Sequence, residues 1–213
     1  MDLTIISNIA VYSIPIIFAI TVHEAAHGYA AKYFGDMTAF HLNRISLNPI
    51  RHIDPLGTIV FPILLVILQA GFIFGWAKPV PVNQSNLRNP KKDMLWVALA
   101  GPGSNLIMAI FWTFIYVNQL SFPNMAQDFI GVMAVVGIQI NIVLMVLNLL
   151  PLPALDGGKV LASLLPYPWS IKFASLDRYG IIILIFLLVT GLLWAIMSPL
   201  IKISESFILA IFS

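Results

Sequence analysis

Runs of apolar residues long enough to cross a bilayer fill most of this 213-residue sequence, and they leave it few ways to fold. A hydrocarbon core about 30 Å thick takes roughly 20 helical residues to span. Inside it every backbone N–H and C=O has to be paired within the segment, so each span is expected to be a helix. Spans are expected at residues 3–31, 94–117, 126–150 and 179–197, with a last apolar piece at 200–213, beyond Pro199, too short to cross upright. Charged residues make up only 9% of the chain. Soluble domains carry roughly 25%. So few charges cannot coat a water-soluble globule, which excludes a cytosolic enzyme and a disordered tail. Eleven Lys and Arg against nine Asp and Glu form no basic stripe, so no nucleic-acid partner is expected. The first partner is the lipid bilayer.

The placement of Lys and Arg sets the expected orientation, because cytoplasmic loops carry their excess. Lys32, Arg44 and Arg51 follow the first span, Lys78, Arg88, Lys91 and Lys92 precede the second, and Lys159, Lys172 and Arg178 follow the third. The turn at 118–127 has neither Lys nor Arg. The N-terminus is then outside and the three basic stretches are cytoplasmic. Met1-Asp2-Leu3 has no basic region ahead of the first apolar run, so that run is expected to be retained as a span. The apolar run 56–76, broken by Gly57, Pro62, Gly71 and Gly75, has basic stretches on both sides. It is expected to enter and leave on one side, as a helical half (57–69) and an extended return (72–82); an ordinary crossing is the alternative.

Chemistry concentrates in the first span, at His23-Glu24-Ala25-Ala26-His27. Residues four apart share a helix face, so the two imidazoles can grip one ion while Glu24 acts on an attacking water. This is the spacing of zinc metalloproteases. Ionisable residues inside a membrane helix cost roughly 2.5–3.5 kcal/mol each on insertion scales, so they are kept for function. A catalytic zinc takes three protein ligands and keeps one position open. The chain has no Cys, so the third ligand is His, Asp or Glu. Asp156 is the best candidate: Pro151 and Pro153 end the third span just before it, and Gly157-Gly158 allow a sharp turn. His41, His52 and Asp54 are the alternatives, although Asp54 directly before Pro55 also suits a turn.

Two of the asparagines in the spans are further candidates for the site. Asn105 follows Gly101-Pro102-Gly103-Ser104, and Asn148 precedes Asp156 by eight positions. Each amide can serve the reaction by donating to a developing oxyanion or holding a peptide carbonyl. Each can equally bond between helices, as Asn141 is expected to do. Gly101, Gly103 and Ser104 read as small residues that let helices approach closely.

Taken in order, these motifs resemble the site-2 proteases, intramembrane zinc metalloproteases. Three elements carry the resemblance: His23 to His27; Gly101-Pro102-Gly103-Ser104-Asn105; and Asn148-Leu149-Leu150-Pro151-Leu152-Pro153 followed by Asp156-Gly157. The stretches 47–57 and 75–83 also look like those of compact bacterial members, and the resemblance covers about residues 8–195. It implies one Zn2+ per chain held by His23, His27 and Asp156, Glu24 as general base, and Asn148 and Asn105 in the catalytic surroundings. It implies cleavage of membrane-protein substrates within or near their transmembrane segments, in regulated intramembrane proteolysis, in a bacterial inner membrane. The site is expected nearer the cytoplasmic face, in a member without PDZ or CBS domains. Oligomeric state is not readable.

The expected fold class is an all-α polytopic membrane protein, one domain over 1–213. It has about four to six transmembrane helices and a small re-entrant β element near the site, drawn from 40–47 and 72–82. There an edge strand would hold an unwound substrate by main-chain pairing. Two other classes compete. A metal transporter also needs intramembrane His and Asp, but has no use for a general base between them. A catalytically dead chaperone on the same fold would not need the intact motifs.

Overall fold

The computed structural model describes residues 5–69 and 75–212. Its long helices are α1 (Ile5–Tyr33) and, after the single turn α2 (Thr38–His41) and the short α3 (Phe61–Ile67), α4 (Pro90–Val117) and α5 (Asn124–Leu149). Then follow α6 (Asp156–Leu164), α7 (Tyr167–Ala174), α8 (Gly180–Val189) and α9 (Leu192–Ala210). Four segments among the described residues are long and apolar enough to cross a membrane: Ile9–Tyr33, Pro90–Val117, Ala126–Leu149 and Leu192–Ala210. Large apolar side chains cover their outer faces, Phe18, Ile107 and Trp194 all being more than half exposed. With so little charge, such a surface belongs in lipid, and the chain is a multi-pass membrane protein.

The centre is built by two matching stripes. On α1, residues 11, 15, 19, 23, 27 and 31 are all buried; on α4, so are 97, 101, 105, 109 and 113. A four-residue step keeps each series in one ridge. Apart from the site residues, the α1 stripe is Val11, Pro15, Ala19 and Ala31, and the α4 stripe is Val97, Gly101, Ala109 and Thr113. Side chains this small let the backbones come close, and α1 and α4 pack against each other and both against α5. The α4 start is well specified: Pro90 takes the first helical position, and buried Asp93 accepts the Asn89 N–H at 2.7 Å. A second apolar cluster joins α5 (Ile142, Met145, Val146) to α8 (Leu184) and α9 (Leu193, Met197, Ile201, Ile208).

The span expected at 179–197 is not one helix. Gly191 has φ +76°, a left-handed residue between α8, which ends after ten residues, and α9. Pro199 lies inside α9 and does not divide it, so most of the apolar piece at 200–213 belongs to a helix of spanning length.

The small β element is also absent: there is no strand among the described residues. Residues 38–41 form α2, and Pro49–His52 is a 3-10 turn. Residues 75–83 form no regular element and serve as a strap pinned to the body. The Trp76 N–H donates to Gly57 O at 3.2 Å and the Lys78 N–H to His52 O at 2.9 Å. The Val80 N–H donates to Glu24 Oε2 at 2.8 Å and the Asn83 N–H to Asp36 Oδ2 at 2.6 Å. Pro79 and Pro81 have no N–H to give, which is why this stretch does not pair as a ladder. Residues 72–74 of the expected return lie outside the described residues.

The preceding run does double back. Asp54 caps a wide π-type turn, Pro55–Val60, through the N–H groups of Leu56 (3.0 Å) and Gly57 (2.7 Å), and α3 continues from it. The Thr58 hydroxyl then donates to Trp76 O at 2.9 Å, and the Trp76 indole fills the space a Gly57 Cβ would need. Both ends of the run 57–76 therefore meet.

Candidate metal centre

Two candidate ligating groups come from one helix face and the third from a helix start far along the chain. On α1, His23 Nε2 and His27 Nε2 lie 3.1 Å apart. Asp156, the first residue of α6, brings Oδ2 to 3.2 Å from His23 Nε2 and 3.1 Å from His27 Nε2. All three residues are buried. The turn that delivers Asp156 differs in detail from expectation. The left-handed residue is Ala154 (φ +68°), whose N–H is held by Asp177 Oδ1 at 3.1 Å. Gly157 and Gly158 are needed for closeness instead: a Cβ on either would strike the carbonyls of Leu149, Leu150 or Leu152.

The hydrogen bonds fix where the ring protons sit. His27 Nδ1 is 2.7 Å from Val97 O, which can only accept, so Nδ1 carries a proton and, in the neutral ring, Nε2 keeps a lone pair. His23 Nδ1 donates to Asn105 Oδ1 at 2.6 Å. The Asn105 amide is itself oriented, since its Nδ2 donates to Asn141 Oδ1 at 2.9 Å and to Ala19 O at 3.4 Å. Asn141 Nδ2 in turn donates to Gly137 O at 2.8 Å. In the neutral ring His23 Nε2 is thereby left with its lone pair as well. With both rings neutral, two imidazole lone pairs and a carboxylate oxygen converge on one buried point, an arrangement that a cation held there relieves. Donors about 2.1 Å from a tetrahedral ion stand roughly 3.4 Å from one another, close to the spacing found. The donor set therefore fits a zinc-like ion.

Asp156 is further held by Lys159, whose Nζ lies 3.1 Å from Oδ1 one helical turn on. Gly101 makes the arrangement possible from the α4 side, where a Cβ would fall 2.6 Å from His23 Cε1 and closer still to His27 Nε2. Glu24, half-buried, points its carboxylate at the strap.

The other residues singled out in the sequence fall elsewhere. Asn148 donates to Leu144 O of its own helix at 3.0 Å. His52 is buried with Nε2 donating to Ser46 O at 2.8 Å, Asp54 is the cap already described, and His41 is exposed at the end of α2. His23, His27 and Asp156 are the group placed to hold a metal among the described residues. Sequence reasoning did not connect Lys159, Asn141, Gly101 or the Val97 carbonyl with the site. The four-residue step from Val97 through Gly101 to Asn105 is the signal that would have grouped two of these with the site.

Comparison with known proteins bears directly on this arrangement. The model for peptidase family M50 matches residues 117–190, a stretch containing Asp156. The chain is 39% identical over 204 residues to the "Putative zinc metalloprotease YwhC" of Bacillus subtilis, covering 94% of this chain and 90% of that protein. The chain belongs to peptidase family M50, the site-2 protease family. It is also 27% identical to the "Putative zinc metalloprotease Rip2" of Mycolicibacterium smegmatis, over 82% of this chain and 64% of that one. The Mycobacterium tuberculosis Rip2 is 28% identical, over 79% of this chain and 62% of that protein. No solved structure matches the chain. As an M50 peptidase the protein is an enzyme, which removes the transporter and inert-chaperone readings.

Proposed function

We propose that this M50 peptidase hydrolyses peptide bonds within or beside transmembrane segments of membrane-protein substrates, with one zinc ion held by His23, His27 and Asp156. The convergence of two imidazole nitrogens and a carboxylate oxygen on one buried point carries the reading. Zinc bound there supplies a Lewis acid that polarises a carbonyl and makes water nucleophilic at neutral pH. Glu24 follows His23 directly and acts as general base, taking a proton from water and delivering it to the leaving amine. Asn105 positions His23. Asn148 gives one N–H to its own helix and keeps its amide oxygen for an unwound substrate.

The setting proposed is a bacterial inner membrane, with the N-terminus outside and the centre nearer the cytoplasmic face. The meeting of Gly57 and Trp76 supports a run 56–76 that returns to the side it entered from. Regulated intramembrane proteolysis is the physiological role that suits such a site.

The test is cleavage of a transmembrane-segment substrate by the purified, bilayer-reconstituted protein, with metal analysis of each variant. Glu24→Gln is expected to keep zinc and lose turnover, whereas His23→Ala, His27→Ala and Asp156→Ala each lose zinc. Full zinc occupancy in Asp156→Ala would remove it from the ligand set, and wild-type cleavage by Glu24→Gln would remove the base.

A further inference from the structure

We infer that the backbone N–H of Val80 is the positioning group for the Glu24 carboxylate, presented by a strap built to hold it still. The inference rests on the reading of Glu24 as general base. The N–H lies 2.8 Å from Glu24 Oε2, across 56 positions of sequence.

Three features make this donor rigid. Val80 stands between Pro79 and Pro81, whose rings fix their own φ and keep the residue before each extended. The strap is fastened on both sides of Val80: at Trp76 and Lys78 before it, and at Asn83 after it through buried Asp36. The Arg44 guanidinium adds hydrogen bonds to Lys78 O at 3.0 Å and Pro79 O at 3.3 Å.

A fourth feature brings the strap close enough to reach. Val80 is buried against α1 at Gly28, one turn beyond Glu24, where a Cβ would stand only 3.1 Å from Val80 Cγ1. A glycine in mid-helix costs roughly 1 kcal/mol against alanine. Here it leaves room for the strap to lie on the helix.

The consequence concerns one rotamer. A glutamate on a helix face samples several staggered states. A general base acts only when its oxygen lies within hydrogen-bond reach of the proton it takes. Anchoring Oε2 to a fixed backbone donor selects one state and leaves Oε1 for water. The flanking prolines, which have no N–H, leave Val80 as the strap's donor at this point.

The experiment removes the N–H and little else. Val80 is replaced by its α-hydroxy acid, so that an ester takes the place of the amide, in the full chain reconstituted in bilayers. Val80→Pro removes the same donor by ordinary mutagenesis, and Val80→Ala keeps the donor while trimming the side chain. The ester and Val80→Pro are expected to lower kcat roughly ten- to hundredfold, the range for a hydrogen bond to a charged group. KM, zinc content and thermal midpoint should stay near wild type, and Val80→Ala should restore at least tenfold of the loss. Wild-type kcat in the ester variant would overturn the inference, and so would an equal loss in Val80→Ala, which would trace the effect to side-chain packing. Glu24→Gln is measured alongside. If it cleaves normally, the base assignment fails and takes the inference with it. If it is inactive while the ester is normal, the positioning role alone fails.

Discussion

Asn141 fixes which nitrogen of His23 carries the proton, acting through Asn105. The chain of bonds runs from His23 Nδ1 to Asn105 Oδ1, from Asn105 Nδ2 to Asn141 Oδ1, and from Asn141 Nδ2 to Gly137 O. The last acceptor is a carbonyl, so the polarity of every link before it is set. Asn141→Leu leaves only the long bond to Ala19 O to hold the Asn105 amide, which can then turn over and offer His23 an N–H where it needs an oxygen. Zinc affinity, measured by chelator competition, is expected to fall about ten- to hundredfold, the usual effect of losing an outer partner of a ligand. An affinity within twofold of wild type would mean that Asn105 is oriented without Asn141.

Gly101→Ala and Gly103→Ala are expected to act in opposite directions although they lie two residues apart. In a helix interior, alanine is favoured over glycine by roughly 1 kcal/mol. Gly103 has open space where a Cβ would go, so its variant should keep zinc and be as stable as wild type or more so. At Gly101 the Cβ meets both imidazoles, and that variant should lose most of its metal. Equal zinc content in the two proteins would show that α1 and α4 can separate without disturbing the ligands.

Asp36 carries a pH-dependent part of the stability. Burial pushes its carboxyl up, but the Thr38 hydroxyl and N–H, the Asn83 N–H and the Asn86 amide outweigh burial and hold it below the ordinary carboxylate value. A lowered folded value means that the stabilisation is complete above the unfolded value, about 3.9 for Asp. It is lost as pH falls through the folded one. Asp36→Asn should therefore lower the thermal midpoint at neutral pH by the equivalent of roughly 1–3 kcal/mol. The gap to wild type should hold at pH 7 and 5 and narrow only below about pH 4. A gap already closing at pH 6 would assign the effect to another group.

Leu47 and Ser85 are expected to face the same side of the membrane. Both are exposed, and the chain between them doubles back where Gly57 meets Trp76. The sequence has no Cys, so single Leu47→Cys and Ser85→Cys variants can be labelled with an impermeant thiol reagent from each face in turn. Labelling from opposite faces would make 56–76 a crossing.

Much of the centre was legible because helix geometry is local. His23 and His27 share a face by spacing alone, and the prolines at 151 and 153 announced the end of α5 before Asp156. The break at Gly191 was hidden because hydropathy averages over a window and cannot register one residue with positive φ. The β element was expected from residue preference, which counts Val80 and Val82 in favour of a strand; Pro79 and Pro81, and the tethering of the intervening N–H, decided against it. Asn141 was read as an interhelical bond, which it makes. Its link to His23 depends on how α5 faces Asn105, and that follows from three-helix packing.

The order of synthesis gives the placement of Asp156 one more meaning. A ribosome delivers α1 first, with two imidazoles and the glutamate already in place, and the third donor follows 129 positions after His27. Until α6 has emerged and docked, the growing chain holds two ligands where catalytic zinc takes three. Its power to cut is acquired late, after most of its own helices have been made.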